Sequence, residues 1–146
     1  MNPIFRTINF ALQSILRSPL HRLLSRSLML ITVTGHRSGR MYTVPVSYQQ
    51  QGATVRIISE RHDHWWRNLR GGAPVTLQLQ GCRINGQGCV SEDPPDVMAQ
   101  LTLHLRQSPN LARMLRVRRN ERGESASEDL RQAAERTVVV SVELAR

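Results

Sequence analysis

At 146 residues, 40% of them apolar, the chain has the size of one domain with one core, and its longest apolar run, near residues 28–33, is far too short to span a bilayer. The amino-terminal stretch lacks the continuous apolar region and small-residue cleavage site of a signal peptide, so a cytoplasmic protein is expected. A net charge of +9, carried by twenty basic residues that are all arginine, favours anionic partners (phosphorylated cofactors, nucleic acid or an anionic membrane surface), while only 4% aromatics argue against stacking on single strands.

Four helix starts pair a capping residue with proline: Asn2-Pro3, Ser18-Pro19, Asp93-Pro94 and Ser108-Pro109. The first predicts a helix to about residue 17 with Ile4, Ile8, Ala11, Leu12 and Ile15 on one face, and the second a short helix turning Leu20, Leu23 and Leu24 inward. Residues 28–34 are rich in β-branched side chains and predict a strand, followed by the glycine-bracketed turn 35–39. A second strand is predicted over 40–49, with Tyr42, Val44, Val46 and Tyr48 on alternate positions, and Pro45 marks an edge or an opening in its ladder. Gln51-Gly52 reads as a turn, 54–59 as a third strand, and 62–70 as one short helix capped by Asp63 and stopped by Gly71-Gly72.

Asn85-Gly86 predicts a tight hairpin between strands 74–82 and 88–91, a register that sets Cys82 opposite Cys89. In a cytoplasmic chain the two are expected as free thiols. Helices follow over 94–106 and 109–118, then an exposed loop over 119–126, a helix over 127–136 and a valine-rich last strand over 137–144. That order is α+β with a largely antiparallel sheet of six strands, and a last strand so distant in sequence is how a sheet closes as a barrel.

Two segments carry candidate chemistry. In Thr34-Gly35-His36-Arg37-Ser38-Gly39-Arg40, glycines permit close backbone approach, turn amides can form an anion-binding nest, and the arginine forks suit phosphate or carboxylate. The plainer alternative is a hairpin turn with solvated arginines. In Trp65-Trp66-Arg67-Asn68, adjacent indoles cannot point the same way on a helix. One is free to stack on a flat heterocycle whose polar edge Asn68 would bond, or both are core anchors. His62 and His64 are expected as solvated or capping side chains, with no metal site. Arg113, Arg116, Arg118, Arg119 and Arg122 read as a solvated face rather than a nucleic-acid patch. The sequence contains no nucleophile elbow, phosphate loop or dinucleotide fingerprint, which suits a protein whose chemistry a cofactor supplies.

The stretch from Leu30 to Arg40, then Thr43-Val44-Pro45-Val46, Ile57-Ile58-Ser59 and Trp65-Trp66-Arg67-Asn68-Leu69, resembles the deazaflavin-dependent nitroreductase family of the pyridoxamine-phosphate-oxidase-like split β-barrels. The resemblance covers about residues 19–90. It implies a six-stranded antiparallel split barrel forming a single domain over 1–146, with residues 1–27 as an N-terminal helical segment and inserted helices in 28–146. It also implies hydride transfer from reduced coenzyme F-420 to a quinone, nitroaromatic or activated alkene. By that resemblance Gly35, Arg37, Ser38, Gly39 and Arg40 hold the coenzyme's phosphate and acidic tail. Pro45 and Val46 line its ring, and Ser59, Trp65 and Asn68 border the pocket. Tyr42 or Tyr48 is a candidate proton donor. Residues 60–64 are shorter and more charged than the family's glycine-containing loop, which keeps FMN as the alternative cofactor, and a ligand-binding protein without turnover as the alternative function. A basic nucleic-acid-binding module is a further alternative, with no sequence preference expected. A homodimer is expected from the resemblance and from the need to cover the outward indole. At most weak association with a membrane surface is expected from the arginine-flanked first helix.

Overall fold

The computed structural model describes residues 28–107, 112, 115–122 and 125–145. The helices predicted over 3–17 and from residue 19 lie outside that range. Half of the helix predicted over 109–118 does too; of its described residues 112 and 115 are helical, but Arg116 turns left-handed at φ 58° and 117–118 are not helical, so the helix does not reach 118 as expected. The chain forms two compact units: one from the residues up to Ile57, His64–Val90 and the residues from Val140, the other from Ile58–Asp63 and Ser91–Val139.

Seven strands make one sheet: β1 Leu28–Thr34, β2 Met41–Ser47, β3 Gln49–Gln51, β4 Thr54–Glu60, β5 Ala73–Leu79, β6 Cys82–Ser91 and β7 Thr137–Leu144, in the order β2-β1-β5-β6-β7-β4-β3. The fold class is α+β with antiparallel pairing, as expected. β1 buries Met29, Leu30, Ile31 and Val33 without alternation, which a strand covered on both faces requires. It pairs with β2 along its whole length, from Leu28↔Ser47 to Thr34↔Met41, and Thr32 and Thr43 hydroxyls meet across the pair at 2.7 Å. β2 is an edge of the sheet, where Pro45 lacks a ladder donor at no loss.

The seventh strand arises because the single strand expected over 40–49 breaks at Tyr48. Its first part pairs with β1, and Gln49–Gln51 turns to pair with β4 through a tight connection at Gly52, whose φ is +61°.

The expected hairpin register is corrected. The tight turn is Gln80-Gly81, both left-handed with φ 49° and 81°, and it sets Leu79 opposite Cys82 and Val75 opposite Gly86. Asn85-Gly86 lies mid-strand because glycine is needed there for another reason. A Cβ on Gly86 would sit 2.6 Å from Val142 Cγ1 and 2.8 Å from the Glu143 carbonyl oxygen. Cys82 and Cys89 therefore lie on one strand, about 23 Å apart at the rise of extended chain. They do not face each other, and both are free and exposed.

The second unit has its own core. Helices α1 Pro94–Gln107 and α2 Ser127–Arg136 contribute Val97, Leu101, Leu105, Leu130, Ala133 and Ala134, packed with Leu115, Val117 and Val139. Spacings of three and four residues put these side chains on the buried stripe of each helix. Among the described residues no helix is long and apolar enough to cross a membrane.

Candidate functional site

The helix expected over 62–70 is a shorter 3-10 helix, Trp65–Leu69, in the first unit. Its N-cap is His64, with no side-chain cap bond, so the expected cap by Asp63 is not made. Both indoles are buried, Trp65 at 7% exposure and Trp66 at 1%, together with Leu69. The inference of one outward indole fails for this reason, and with it the argument that a partner subunit is needed to cover it. The guanidinium groups of Arg67 and Arg70 stand 5.7 Å and 5.2 Å from the centre of the Trp66 ring.

The turn between β1 and β2 is closed by its own backbone. The Gly35 amide donates to the Arg40 carbonyl at 2.8 Å and the Gly39 amide to the Gly35 carbonyl at 2.9 Å, with Gly39 at φ +70°. The Ser38 hydroxyl accepts from the Arg40 amide at 3.2 Å, folded over Gly35, where a Cβ would meet it at 2.9 Å. The His36 amide donates out of the turn to Asn68 Oδ1 at 2.9 Å. Four of the turn's amides are thus committed within the chain. The expected backbone nest is largely used up, and capacity for an anion rests on side chains.

Those side chains converge on a cleft of about 600 Å³ lined by His36, Arg37, Tyr42, His64, Arg67, Asn68 and Arg70. One wall is the 35–40 turn with the start of β2, and the other is the 3-10 helix and its flanks. Asn68 joins the walls. Its Oδ1 also lies 2.6 Å from His36 Nδ1, and its Nδ2 donates to the Trp65 carbonyl at 3.0 Å and to the Tyr42 hydroxyl. Three guanidinium groups and two imidazoles face this space, and no carboxylate lines it. Such a lining favours a ligand with more than one negative charge.

Of the residues singled out in the sequence, the structure brings together Arg37, Tyr42 and Asn68. Gly35, Ser38 and Gly39 shape the turn, while Arg40 is exposed and lines no part of the cleft. Pro45 and Val46 are half-buried on β2, opposite Leu30 and Met29, and outside the lining. Tyr48 is buried, with its hydroxyl 3.4 Å from Gln80 Nε2, and Trp65 is buried; neither lines the cleft. Ser59 belongs to the second unit, where its hydroxyl bonds the Asp63 carboxylate and the Glu60 carbonyl, each at 3.4 Å.

His36 and Arg67 lie inside the two segments singled out in the sequence but were given no role there, and His64 and Arg70 were missed as cleft residues. The available signal was the three-residue spacing of Arg67 and Arg70, which places them on one side of a helix with three residues per turn. His62 is exposed beside Asp63 at 3.9 Å, and no group of three or more metal-ligating side chains occurs among the described residues.

The sequence matches the family model of F420H2-dependent quinone reductases over residues 10–114. Among solved structures, an F420-H2 dependent reductase is similar at 18% identity, covering 81% of this chain and 95% of its own, with a TM-score of 0.55. A pyridoxamine 5'-phosphate oxidase-like protein from Listeria innocua is similar at 12% identity, covering 90% and 94%, with a TM-score of 0.52. A structure described as a domain-swapped dimer is similar at 16% identity, covering 90% and 98%, with a TM-score of 0.52. At these identities the likeness is one of fold. Among curated proteins none matches the sequence.

Proposed function

The chain belongs to the F420H2-dependent quinone reductase family, and from that premise we propose that it passes a hydride from reduced coenzyme F-420 to a small organic acceptor: a quinone, a nitroaromatic or an activated alkene. It is an oxidoreductase of F-420-dependent type by family. The observation that carries the reading is the cleft lined by Arg37, Arg67, Arg70, His36 and His64 with no opposing carboxylate. Those residues fit the coenzyme's phosphate and acidic tail, because guanidinium forks bond anionic oxygens in pairs.

When bound, the coenzyme supplies the hydride, and the chain's own part is to hold and orient it. Arg37 on one wall and Arg67 and Arg70 on the other are the proposed grip on the anionic end. Trp66 stiffens the second wall, since both arginines lie against its buried ring. Pro45 and Val46, half-buried on edge strand β2, are the apolar surface proposed for the ring. Of the two tyrosines considered as proton donors, Tyr42 is the one in the cleft. We propose a homodimer as the working form. Support comes from the domain-swapped dimer of the same fold and from β2, an edge strand on which no residue is fully buried and Met41 is 64% exposed.

Calorimetric titration with F-420 and with FMN tests the reading, together with oxidation of reduced F-420 in the presence of each acceptor class. Tight binding of F-420 and acceptor-dependent oxidation are expected. Binding of FMN alone, or no oxidation with any acceptor class, would overturn it.

A further inference from the structure

Two main-chain groups of opposite sense hold the Asn68 side chain. The His36 amide, which can only donate, faces Oδ1 at 2.9 Å, and the Trp65 carbonyl, which can only accept, faces Nδ2 at 3.0 Å. Reversing the amide would set N–H against N–H and oxygen against oxygen, so one orientation is allowed. Two assignments follow. The Tyr42 hydroxyl oxygen faces Nδ2 and must accept from it, so its own proton is directed to another acceptor. His36 Nδ1 lies 2.6 Å from an oxygen that can only accept, so Nδ1 carries the proton and Nε2 keeps the lone pair of the neutral ring.

We infer that Asn68 is a positioning residue that sets the polarity of the cleft: it holds Tyr42 as an O–H donor to an anionic oxygen of the ligand and His36 as the Nδ1–H tautomer. The inference rests on the cleft being an oxyanion site, as proposed above, and not on which coenzyme fills it. Three charged donors, Arg37, Arg67 and Arg70, already line this space. A hydroxyl free to turn its lone pair outward would serve a neutral donor ligand equally well. With its oxygen engaged by Asn68, it serves an ionised oxygen, as the guanidinium groups do.

The first readout needs no ligand. Imidazole nitrogen NMR at a pH where His36 is neutral should show the Nδ1–H tautomer in the native protein and in Tyr42→Phe. In Asn68→Ala it should shift toward Nε2–H. The second readout is calorimetry with pyrophosphate as the probe. Tyr42→Phe and Asn68→Ala should each bind about tenfold more weakly or worse, tenfold being the low end for one hydrogen bond to a charged group. The double variant should lose less than the product of the two, because Asn68 acts partly through Tyr42. If Asn68→Ala fails to fold, the native tautomer and the Tyr42→Phe affinity still decide. An Nε2–H tautomer in the native protein, unchanged pyrophosphate affinity in Tyr42→Phe, or no pyrophosphate binding at all would overturn the inference. Binding of pyrophosphate without binding of F-420 would overturn the coenzyme assignment and leave this inference standing.

Discussion

Arg37 and Arg40 sit three positions apart on the same turn, yet only Arg37 lines the cleft. Its guanidinium is the fork on the β1–β2 wall, and Arg40 contributes backbone, accepting from Gly35 and donating to Ser38. Arg37→Ala should therefore weaken coenzyme binding by about 1.5–3 kcal/mol, the usual range for hydrogen bonds to charged groups. Arg40→Ala should cost no more than about 1 kcal/mol, the scale of an exposed charge. Calorimetry on both variants checks this, and equal losses would place the anion on the outer side of the turn. Gly86 is a residue of a different kind, fixed by space rather than by ligand. A methyl group there meets Val142 Cγ1 at 2.6 Å and the Glu143 carbonyl at 2.8 Å, and neither is the far end of a flexible side chain. Gly86→Ala should lower stability by about 1–3 kcal/mol, as overpacking does, read from the midpoint of urea unfolding.

The elements of the second unit are tied at their ends by side chains. Arg61, just past β4, donates its backbone amide to the Arg136 carbonyl at 2.8 Å, and its guanidinium to the carbonyls of Glu92, Ala134, Glu135 and Thr137 at 2.7–3.2 Å. Ala134 and Glu135 are among the last carbonyls of α2, which the helix leaves without partners. Arg61→Ala should cost about 2 kcal/mol of stability, and Arg61→Lys should recover only part, since an ammonium lacks the planar fork. Full rescue by lysine in thermal unfolding would mean that charge alone matters there. At the other end of α2, the side chain and backbone amide of Arg118 both bond Asp129, and those hydrogen bonds hold its carboxyl below the usual carboxylate range. A depressed carboxylate contributes stability that is complete above the unfolded value, about 4, and is lost as pH falls through the lower folded value. The stability difference between the native protein and Asp129→Asn should therefore shrink on acidification and not on alkalinisation.

At the scale of the whole molecule, charge is the dominant property. A net charge of +9 raises affinity for any anion, so coenzyme binding should weaken as salt rises from low to physiological concentration. The same charge predicts weak association with nucleic acid that salt abolishes and that shows no sequence preference. A tight complex with one sequence at physiological salt would point to a second activity. Sedimentation at micromolar concentration addresses assembly, with twice the formula mass expected. A monomer would leave edge strand β2 without the partner proposed for it, because the buried indoles no longer argue for one.

Local chemistry was legible in the sequence wherever it was also decisive. β-branched runs at 28–34 and 137–144 became β1 and β7, the glycine-bracketed turn fell at 35–39, and Pro45 marked an edge strand. The arginine-rich turn and Asn68 were visible as candidates from composition and resemblance. Tertiary structure decided where two local signals competed or where partners lay far apart. Gln80-Gly81 displaced Asn85-Gly86 as the hairpin turn because β7, more than fifty residues later, needs the space at Gly86. Position 48 split a strand because the two halves found different neighbours, β1 and β4. The wall of Arg67 and Arg70 faced Arg37 only once Asn68 bridged to His36 across thirty-two positions, and a bond of that span leaves no periodic trace in the chain.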